Sequence, residues 1–201
     1  GNFSVGTTLS KTEAAQAALF GLVVLGDNVS LSVALGIAVS LLGVVCLSSN
    51  ATELLSRLSR RALALGLVSG TGFAIAAVCF RGASLSLDGG TFFERAAVTV
   101  LSAVTLQSLI MGAYLMVREP GQLSKVLEHW KISSVIGGIG MFASLCWFSA
   151  MTLNSAAIVR AVGQVELLFT LVTTIFWFKE KIRFSQLVGM LLIVGGIWLL
   201  V

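Results

Sequence analysis

The chain has 201 residues, of which 57% are hydrophobic and only 11% charged, and its formal net charge is +4. A soluble domain carries about 25% charged residues, and the mean hydropathy of +0.99 implies more apolar surface than one water-soluble core could hide. The composition therefore argues against a soluble domain and predicts that the solvent is a bilayer. In a membrane protein, such a positive excess marks loops held on one side rather than a nucleic-acid surface.

Seven apolar runs follow one another along the chain, each near the ~20 residues that a spanning helix needs. They cover roughly residues 5–25, 31–48, 62–80, 91–117, 132–151, 155–181 and 184–201. None alternates polar and apolar residues as a membrane strand would, and helices satisfy the backbone in lipid. The sequence predicts an all-α membrane protein with about seven transmembrane helices.

The links between these runs are mostly short. Asp27 and Asn28 give a turn signal between the first two runs, and Pro120 ends the fourth helix. The longer links, 51–61 and 121–130, carry leucines and basic residues at helical spacing. This pattern predicts short helices in the headgroup zone, with an ordinary polar loop as the alternative for each.

The sixth run, Ser155 to Lys181, is the most unusual one. It carries Arg160, Gln164 and Glu166 well inside an apolar segment, with Gly163 between them. A charged side chain at bilayer depth costs about 2.5 to more than 10 kcal/mol, and it persists where it faces a partner, a water-filled cavity or a substrate. We therefore predict a broken or pivoting membrane helix that lines a solute path.

A fixed offset of 153 residues superposes the first hairpin on the last without a gap. The superposed positions are an intramembrane acid, a turn acid, a helix-start serine and two helix glycines: Glu13 and Glu166, Asp27 and Glu180, Ser32 and Ser185, Gly36 and Gly189, and Gly43 and Gly196. The third, fourth, fifth, sixth and seventh helices would then form one unit of five. The first two helices would be the last two of an earlier unit. Because five is odd, tandem copies enter the membrane with opposite orientation, and we expect about three further helices upstream.

Further glycines fall at positions where helices could approach closely. They are Gly66 and Gly70, Gly137 and Gly140, and Gly189 and Gly195. We expect these glycines at contacts between helices. In a transporter, the helices could also slide past each other at these contacts.

The two hairpins carry a resemblance to a known family. They read SKTEAAQAALFGLVVLGDNVSLSVALGIAVSLLGVV and GQVELLFTLVTTIFWFKEKIRFSQLVGMLLIVGGIWLLV. Both resemble the last two helices of each repeat in EamA-type members of the drug/metabolite transporter superfamily, with an acid at the turn and glycines in the helix that follows. The resemblance implies the C-terminal part of a ten-helix inverted-repeat bundle. Residues 1–50 would be the last two helices of the first repeat, 51–61 a basic amphipathic link, and 62–201 the complete second repeat.

Four charged residues are the first candidates for a substrate site. Glu13 and Glu166 would face a central cavity and pair with a cationic group of the solute or exchange a proton; the alternative is a structural ion pair. Arg160 and Lys11 would bind a carboxylate, for which an arginine is well suited, or would compensate the charge of the two glutamates.

Polar and aromatic residues near these charges complete the predicted site. Gln16 and Gln164 flank the acids, and Gln107 lies in the middle of the fourth run. A glutamine in lipid needs an interhelical hydrogen bond worth ~0.6–2 kcal/mol, so helix association is the alternative to solute binding. Trp147 could line an aromatic pocket, although packing is the commoner role of such a residue.

These residues together predict a secondary carrier in a bacterial-type inner (plasma) membrane. It would move a small organic metabolite, such as an amino acid or a similar polar solute, by alternating access, with protons as a plausible coupling ion. The alternative is a non-transporting membrane scaffold or helper subunit. No catalytic set, metal cluster or cofactor-binding motif is visible, so we predict neither an enzyme nor a cofactor, and nucleic acid is not an expected partner.

Overall fold

The computed structural model describes residues 8–48, 60–179 and 184–200. The helices of this part are α1 Glu13–Leu25, α2 Leu31–Ser48, α3 Arg60–Leu85, α4 Phe92–Arg118, α5 Gln122–Glu128, α6 Trp130–Leu153, α7 Ala156–Gly163, α8 Val165–Phe178 and α9 Phe184–Leu200. No strand occurs in these residues. The prediction of an all-α membrane protein is confirmed.

Helix length and composition identify candidate membrane-spanning segments. Among the described residues, four segments are long and apolar enough to cross a bilayer: Leu63–Leu85, Phe92–Arg118, Trp130–Leu153 and Ala156–Trp177. Two shorter apolar helices are Leu31–Leu47 and Phe184–Leu200. The last of the four spans runs through both α7 and α8, as expected for one interrupted helix.

The two predicted interfacial links have different outcomes. The link 121–130 contains α5, a helix of seven residues, so the prediction of a short helix is confirmed there. The link 51–61 lies outside the described residues except at its end, where Arg60 and Arg61 already belong to α3.

The described chain divides into two compact units. The first comprises the residues up to Cys79 together with those from Asn154 onward, and the second runs from Phe80 to Leu153. The division falls inside α3 and between α6 and α7.

In the first unit, α2 and α9 cross at four glycines. A Cβ added at Gly36 would lie 2.9 Å from the carbonyl oxygen of Gly196, and one added at Gly43 would lie 2.8 Å from that of Gly189. From Gly36 to Gly43 along α2, the contacting glycine moves backward along α9, from Gly196 to Gly189. The two helices are therefore antiparallel. Because such distances leave no room for a side chain, the glycines let the two backbones touch.

Four of the other glycines expected at helix contacts divide into two groups. Gly70 does lie at a contact, since an added Cβ would approach the carbonyl oxygen of Ser10 to 2.9 Å. The prediction is wrong for Gly137, Gly140 and Gly195, where an added Cβ would meet nothing within 4 Å in the described structure. Spacing alone did not show which face of α6 or α9 meets another helix.

The apolar core of the first unit lies beside the glycine crossing. Val44 and Leu47 of α2, Leu171 of α8 and Ile193 of α9 are buried together there. Next to this core, α7 packs on α1, and most of the buried residues of the two helices are small: Ala14, Ala17, Gly21, Ala156, Ala157, Val159 and Ala161. Small side chains allow this close approach.

The second unit contains α4, α5, α6 and the end of α3. Arg81 donates from Nη1 to the carbonyl oxygen of Met151 over 2.7 Å, and the hydroxyls of Ser84 and Thr152 are 2.6 Å apart. These bonds join the end of α3 to the end of α6.

A capping box begins α4. The Glu94 amide donates to the Thr91 hydroxyl over 3.3 Å, and the Thr91 amide donates to the Glu94 carboxylate over 2.7 Å. This reciprocal pair satisfies two amides at the helix start, and it gives Glu94 a structural role.

Candidate functional site

Two helix interruptions in the first unit define the candidate site. The one predicted around Gly163 is a single tight turn at Gln164, whose amide donates to the carbonyl oxygen of Ala161 over 3.1 Å. A second interruption at Lys11 and Thr12 separates the helical residues 8–10 from α1, and the Lys11 amide donates to the carbonyl oxygen of Thr8 over 3.2 Å. Each of these amides bonds to the carbonyl oxygen three residues earlier, which is the hydrogen bond of a 3₁₀ turn. We call the interruption at Lys11–Thr12 the first break and the one at Gln164 the second break.

The two breaks touch each other through the Gln164 side chain. This residue is only 1% exposed. Its amide nitrogen donates to the Lys11 carbonyl oxygen over 3.4 Å, and its amide oxygen accepts from the Ser40 hydroxyl of α2. An interrupted helix leaves backbone groups that need partners in lipid, and Gln164 supplies one for the first break.

Two ion pairs cross between the breaks. The Lys11 ammonium contacts the Glu166 carboxylate, and Arg160 Nη1 lies 3.8 Å from Glu13 Oε1. In each pair, the cation comes from one break and the acid from the other. The four side chains therefore form a cluster that is balanced in formal charge.

The two ion pairs differ in how much of each side chain is exposed. The exposed fractions are 17% for Arg160 and 10% for Glu13, against 22% for Lys11 and 55% for Glu166. Arg160 also lies over the Phe73 ring, with 5.7 Å between the guanidinium carbon and the ring centroid, which favours a fixed cation. The Arg160–Glu13 pair is thus the enclosed one, and Glu166 is the more exposed acid.

The electrostatic neighbours of Glu13 are the other three members of the cluster. Arg160, Lys11 and Glu166 all act on its carboxylate. The two acids are thus close enough to repel each other, and the two cations offset this repulsion.

Gln16 connects the first break to α3. Its amide oxygen accepts from the Thr71 hydroxyl over 2.6 Å, and its amide nitrogen lies 2.9 Å from the Thr12 hydroxyl, to which it donates. Thr12 in turn donates to the carbonyl oxygen of Leu9 over 2.7 Å. Both ends of the Gln16 amide are therefore occupied by groups of the protein.

The structure brings six of the eight predicted site residues into the first unit, where Lys11, Glu13, Gln16, Arg160, Gln164 and Glu166 surround the two breaks. Gln107 and Trp147 belong to the second unit. Gln107 is exposed midway along α4, and Trp147 is partly buried on α6. A solute-binding role for these two residues stays a prediction.

Sequence reasoning missed several residues that contact the predicted site. Ser40 is fully buried and bonds to Gln164. Thr71 bonds to Gln16, and the Phe73 ring lies beneath Arg160. Ser40 lies four residues after Gly36 and three before Gly43, on the same helix face. This hydroxyl on a glycine-lined face was the signal that could have identified it.

Comparison with known proteins gives one family. The model of the EamA-like transporter family matches residues 60–201, which is more than two thirds of the chain. A search of curated proteins finds no match.

Proposed function

This chain belongs to the EamA-like transporter family, and from that premise we propose that it is a secondary active carrier working by alternating access. Its solutes would be small organic metabolites, with amino acids or similar polar compounds as the first class to test. The family consists of membrane transporters, and the apolar helices fit an integral membrane protein. We assign the carrier to a bacterial-type inner membrane.

The charged cluster at the two breaks is the observation that carries this proposal. Charged side chains within a membrane segment are expensive and mark solute or ion pathways. Secondary carriers place such groups at interrupted helices, where helix ends and loosened backbone contact the solute. The residues around Gln164 and Lys11 combine both features.

The proposed repeat organisation gives these breaks a common origin. We assign residues 1–50 to the end of a first repeat, 51–61 to a link, and 62–201 to a second repeat. In support of this assignment, the amide of Lys11 and that of Gln164, which lie 153 positions apart, each donate to the residue three positions earlier.

The glycine crossing supports the same assignment. Adding the offset of 153 to Gly36 gives Gly189, and subtracting it from Gly196 gives Gly43. The contact between Gly36 and Gly196 thus converts into the contact between Gly189 and Gly43, which is also present. This exchange is what a two-fold axis between inverted repeats produces.

Each charged residue has a chemical role in the proposal. Glu166, the most exposed of the four, accepts an ammonium group of the solute or a coupling proton. Arg160, with its planar guanidinium, is suited to a carboxylate. Gln16 and Gln164, whose amides are bonded to the protein, hold the breaks in place.

Uptake into proteoliposomes tests the proposed function. The purified protein is reconstituted, preloaded with an unlabelled amino acid mixture, and offered the same amino acids in labelled form at trace concentration. A carrier accumulates label transiently by exchange, at about tenfold or more above protein-free vesicles. A proton gradient then tests coupling.

The scaffold alternative makes the opposite prediction. A non-transporting subunit gives no exchange for any amino acid, organic amine or organic acid, although it reconstitutes with the same efficiency. A label that equilibrates without exchange would indicate a passive pore and would also contradict the carrier.

A further inference from the structure

The contacts at the breaks fall into two classes once the two hairpins are treated as repeats. In a carrier built from inverted repeats, the second state arises when each repeat adopts the conformation of the other. A contact between residues i and j in one state then becomes a contact between their equivalents in the other. The offset of 153 therefore predicts which present contacts survive the exchange.

Three contacts survive as contacts between the same positions. The two glycine contacts of α2 and α9 convert into each other. Positions 11 and 164 are equivalents of each other and stay in contact, with the Lys11 side chain as donor and the Gln164 carbonyl as acceptor in the exchanged state. These contacts lie on the symmetry axis or are arranged symmetrically about it, so both states can keep them.

Neither ion pair survives. The equivalent of Arg160 by the offset is Thr7, which carries no charge. The counterpart of the Lys11–Glu166 pair joins Gln164 to Glu13, an uncharged amide facing a carboxylate. The bond between Ser40 and Gln164 likewise becomes a contact between Ile193, which is fully buried, and Lys11. The exchanged state thus places an ammonium beside an apolar side chain and removes its carboxylate, which is unfavourable within a membrane.

We propose that the Lys11–Glu166 ion pair is specific to one transport state, and that a cation which replaces Lys11 at the Glu166 carboxylate releases the protein into the other state. This inference rests on the proposed function. The releasing ligand is a proton or a primary ammonium group, since both neutralise a carboxylate and the exposed Glu166 is open to either.

The other charged groups define the specificity of this release. Arg160 already faces Glu13 in the enclosed pair, so an incoming cation meets Glu166, the more exposed of the two acids. Because a ligand shifts an equilibrium only through its different affinities for the two states, a cation that binds Glu166 only after Lys11 has left favours the exchanged state.

Distances between spin labels test this inference without any transport assay. In a protein whose native cysteines (Cys46, Cys79 and Cys146) are replaced by alanine, labels are attached at Leu19→Cys on α1 and Phe169→Cys on α8, both exposed positions. A reference pair at Leu35→Cys and Val194→Cys reports on α2 and α9. Double electron–electron resonance in lipid nanodiscs gives the distance distributions.

Glu166→Gln should increase the share of a second α1–α8 distance about fivefold or more at neutral pH. The charge exchange Lys11→Glu with Glu166→Lys should return the distribution to that of the parent protein. Glu94→Gln, which neutralises a carboxylate of the second unit, and the reference pair should show no change.

Two further arms identify the cation. Acidification without added amine tests the proton, and methylammonium chloride at neutral pH tests the ammonium group, with tetramethylammonium chloride as the matched salt that cannot donate a hydrogen bond. A second distance in either arm supports release by that cation. If neither arm shifts the distribution, or if Glu166→Gln matches the parent protein, the inference is wrong.

The result remains separable from the proposed function. Exchange of labelled solute without a second distance would contradict the state-specific ion pair and leave the carrier intact. A second distance without exchange of any solute would contradict the carrier.

Discussion

The crossing of α2 and α9 and the contact between the two breaks lie in the same unit but are held by different forces. At the crossing, Gly43 and Gly189 allow two backbones to touch, and an apolar core lies alongside. At the breaks, Gln164 and two ion pairs join segments whose helical hydrogen bonding is interrupted.

The difference separates fixed contacts from exchangeable ones. Backbone packing at glycines offers no alternative partner at a similar distance, since interiors are densely packed and do not deform continuously. Ion pairs near an exposed acid can instead exchange partners with a solute or a proton. A carrier needs both kinds, and the following substitutions test whether this chain divides them in this way.

Arg160→Met should have the largest effect on stability. It leaves the Glu13 carboxylate enclosed without its guanidinium, and breaking a buried ion pair on one side costs about 3 kcal/mol or more. Unfolding by denaturant in detergent micelles measures the loss. The double variant Arg160→Met with Glu13→Gln should recover most of it; an unchanged midpoint for the single variant would contradict the enclosed pair.

Gly196→Ala should have the second largest effect on stability. The added Cβ would meet the carbonyl oxygen of Gly36 at 2.8 Å, and overpacking of this kind costs about 1–3 kcal/mol. Gly195→Ala is the matched control on the same helix, because its Cβ would enter open space among the described residues. Thermal unfolding should show a lower melting temperature for Gly196→Ala only. Equal effects of the two variants would show that α2 does not cross α9 at Gly196.

Gln164→Leu should have the third largest effect on stability. It should lower the free energy of unfolding by about 1–3 kcal/mol, because it leaves the Lys11 carbonyl and the Ser40 hydroxyl without their partner. Gln107→Leu, at an exposed position of α4, is the control and should have little effect. Denaturant midpoints compare the two. A greater loss for Gln107→Leu would contradict the role of Gln164 between the breaks.

Lys11→Met should have the smallest effect on stability. The pair with Glu166 is the more exposed one, and exposed ion pairs contribute about 0–1 kcal/mol. Thermal unfolding in nanodiscs measures the change. A loss as large as that of Arg160→Met would show that the two ion pairs are equally enclosed, and it would remove the basis for calling one of them exchangeable.

Much of the architecture follows from the sequence because apolar length and intramembrane charge are strong signals. The run around Arg160 and Glu166 predicted an interrupted helix, and the structure has the interruption at the next polar residue, Gln164. The glycine pairs matched by the offset, Gly36 with Gly189 among them, are the residues that bring α2 and α9 together.

What the sequence could not predict depends on which faces meet. Gly195 and Gly196 are adjacent and chemically identical, yet only Gly196 touches α2. The pairing of the charges was equally open, since Lys11 lies nearer to Glu13 in the chain but contacts Glu166. The partner Ser40 is a small hydroxyl in an apolar helix, and its role depends on the position of Gln164 after folding.

The most direct measurement of the central claim is solute exchange in proteoliposomes by Glu166→Gln. If Glu166, the more exposed acid at the breaks, binds the transported or coupling cation, exchange should fall about tenfold or more. Glu94→Gln, in which glutamine can still complete the capping box at the start of α4, should exchange at the parent rate. Equal exchange by Glu166→Gln, with the protein folded and reconstituted to the same density, would contradict the assignment of the breaks as the transport site.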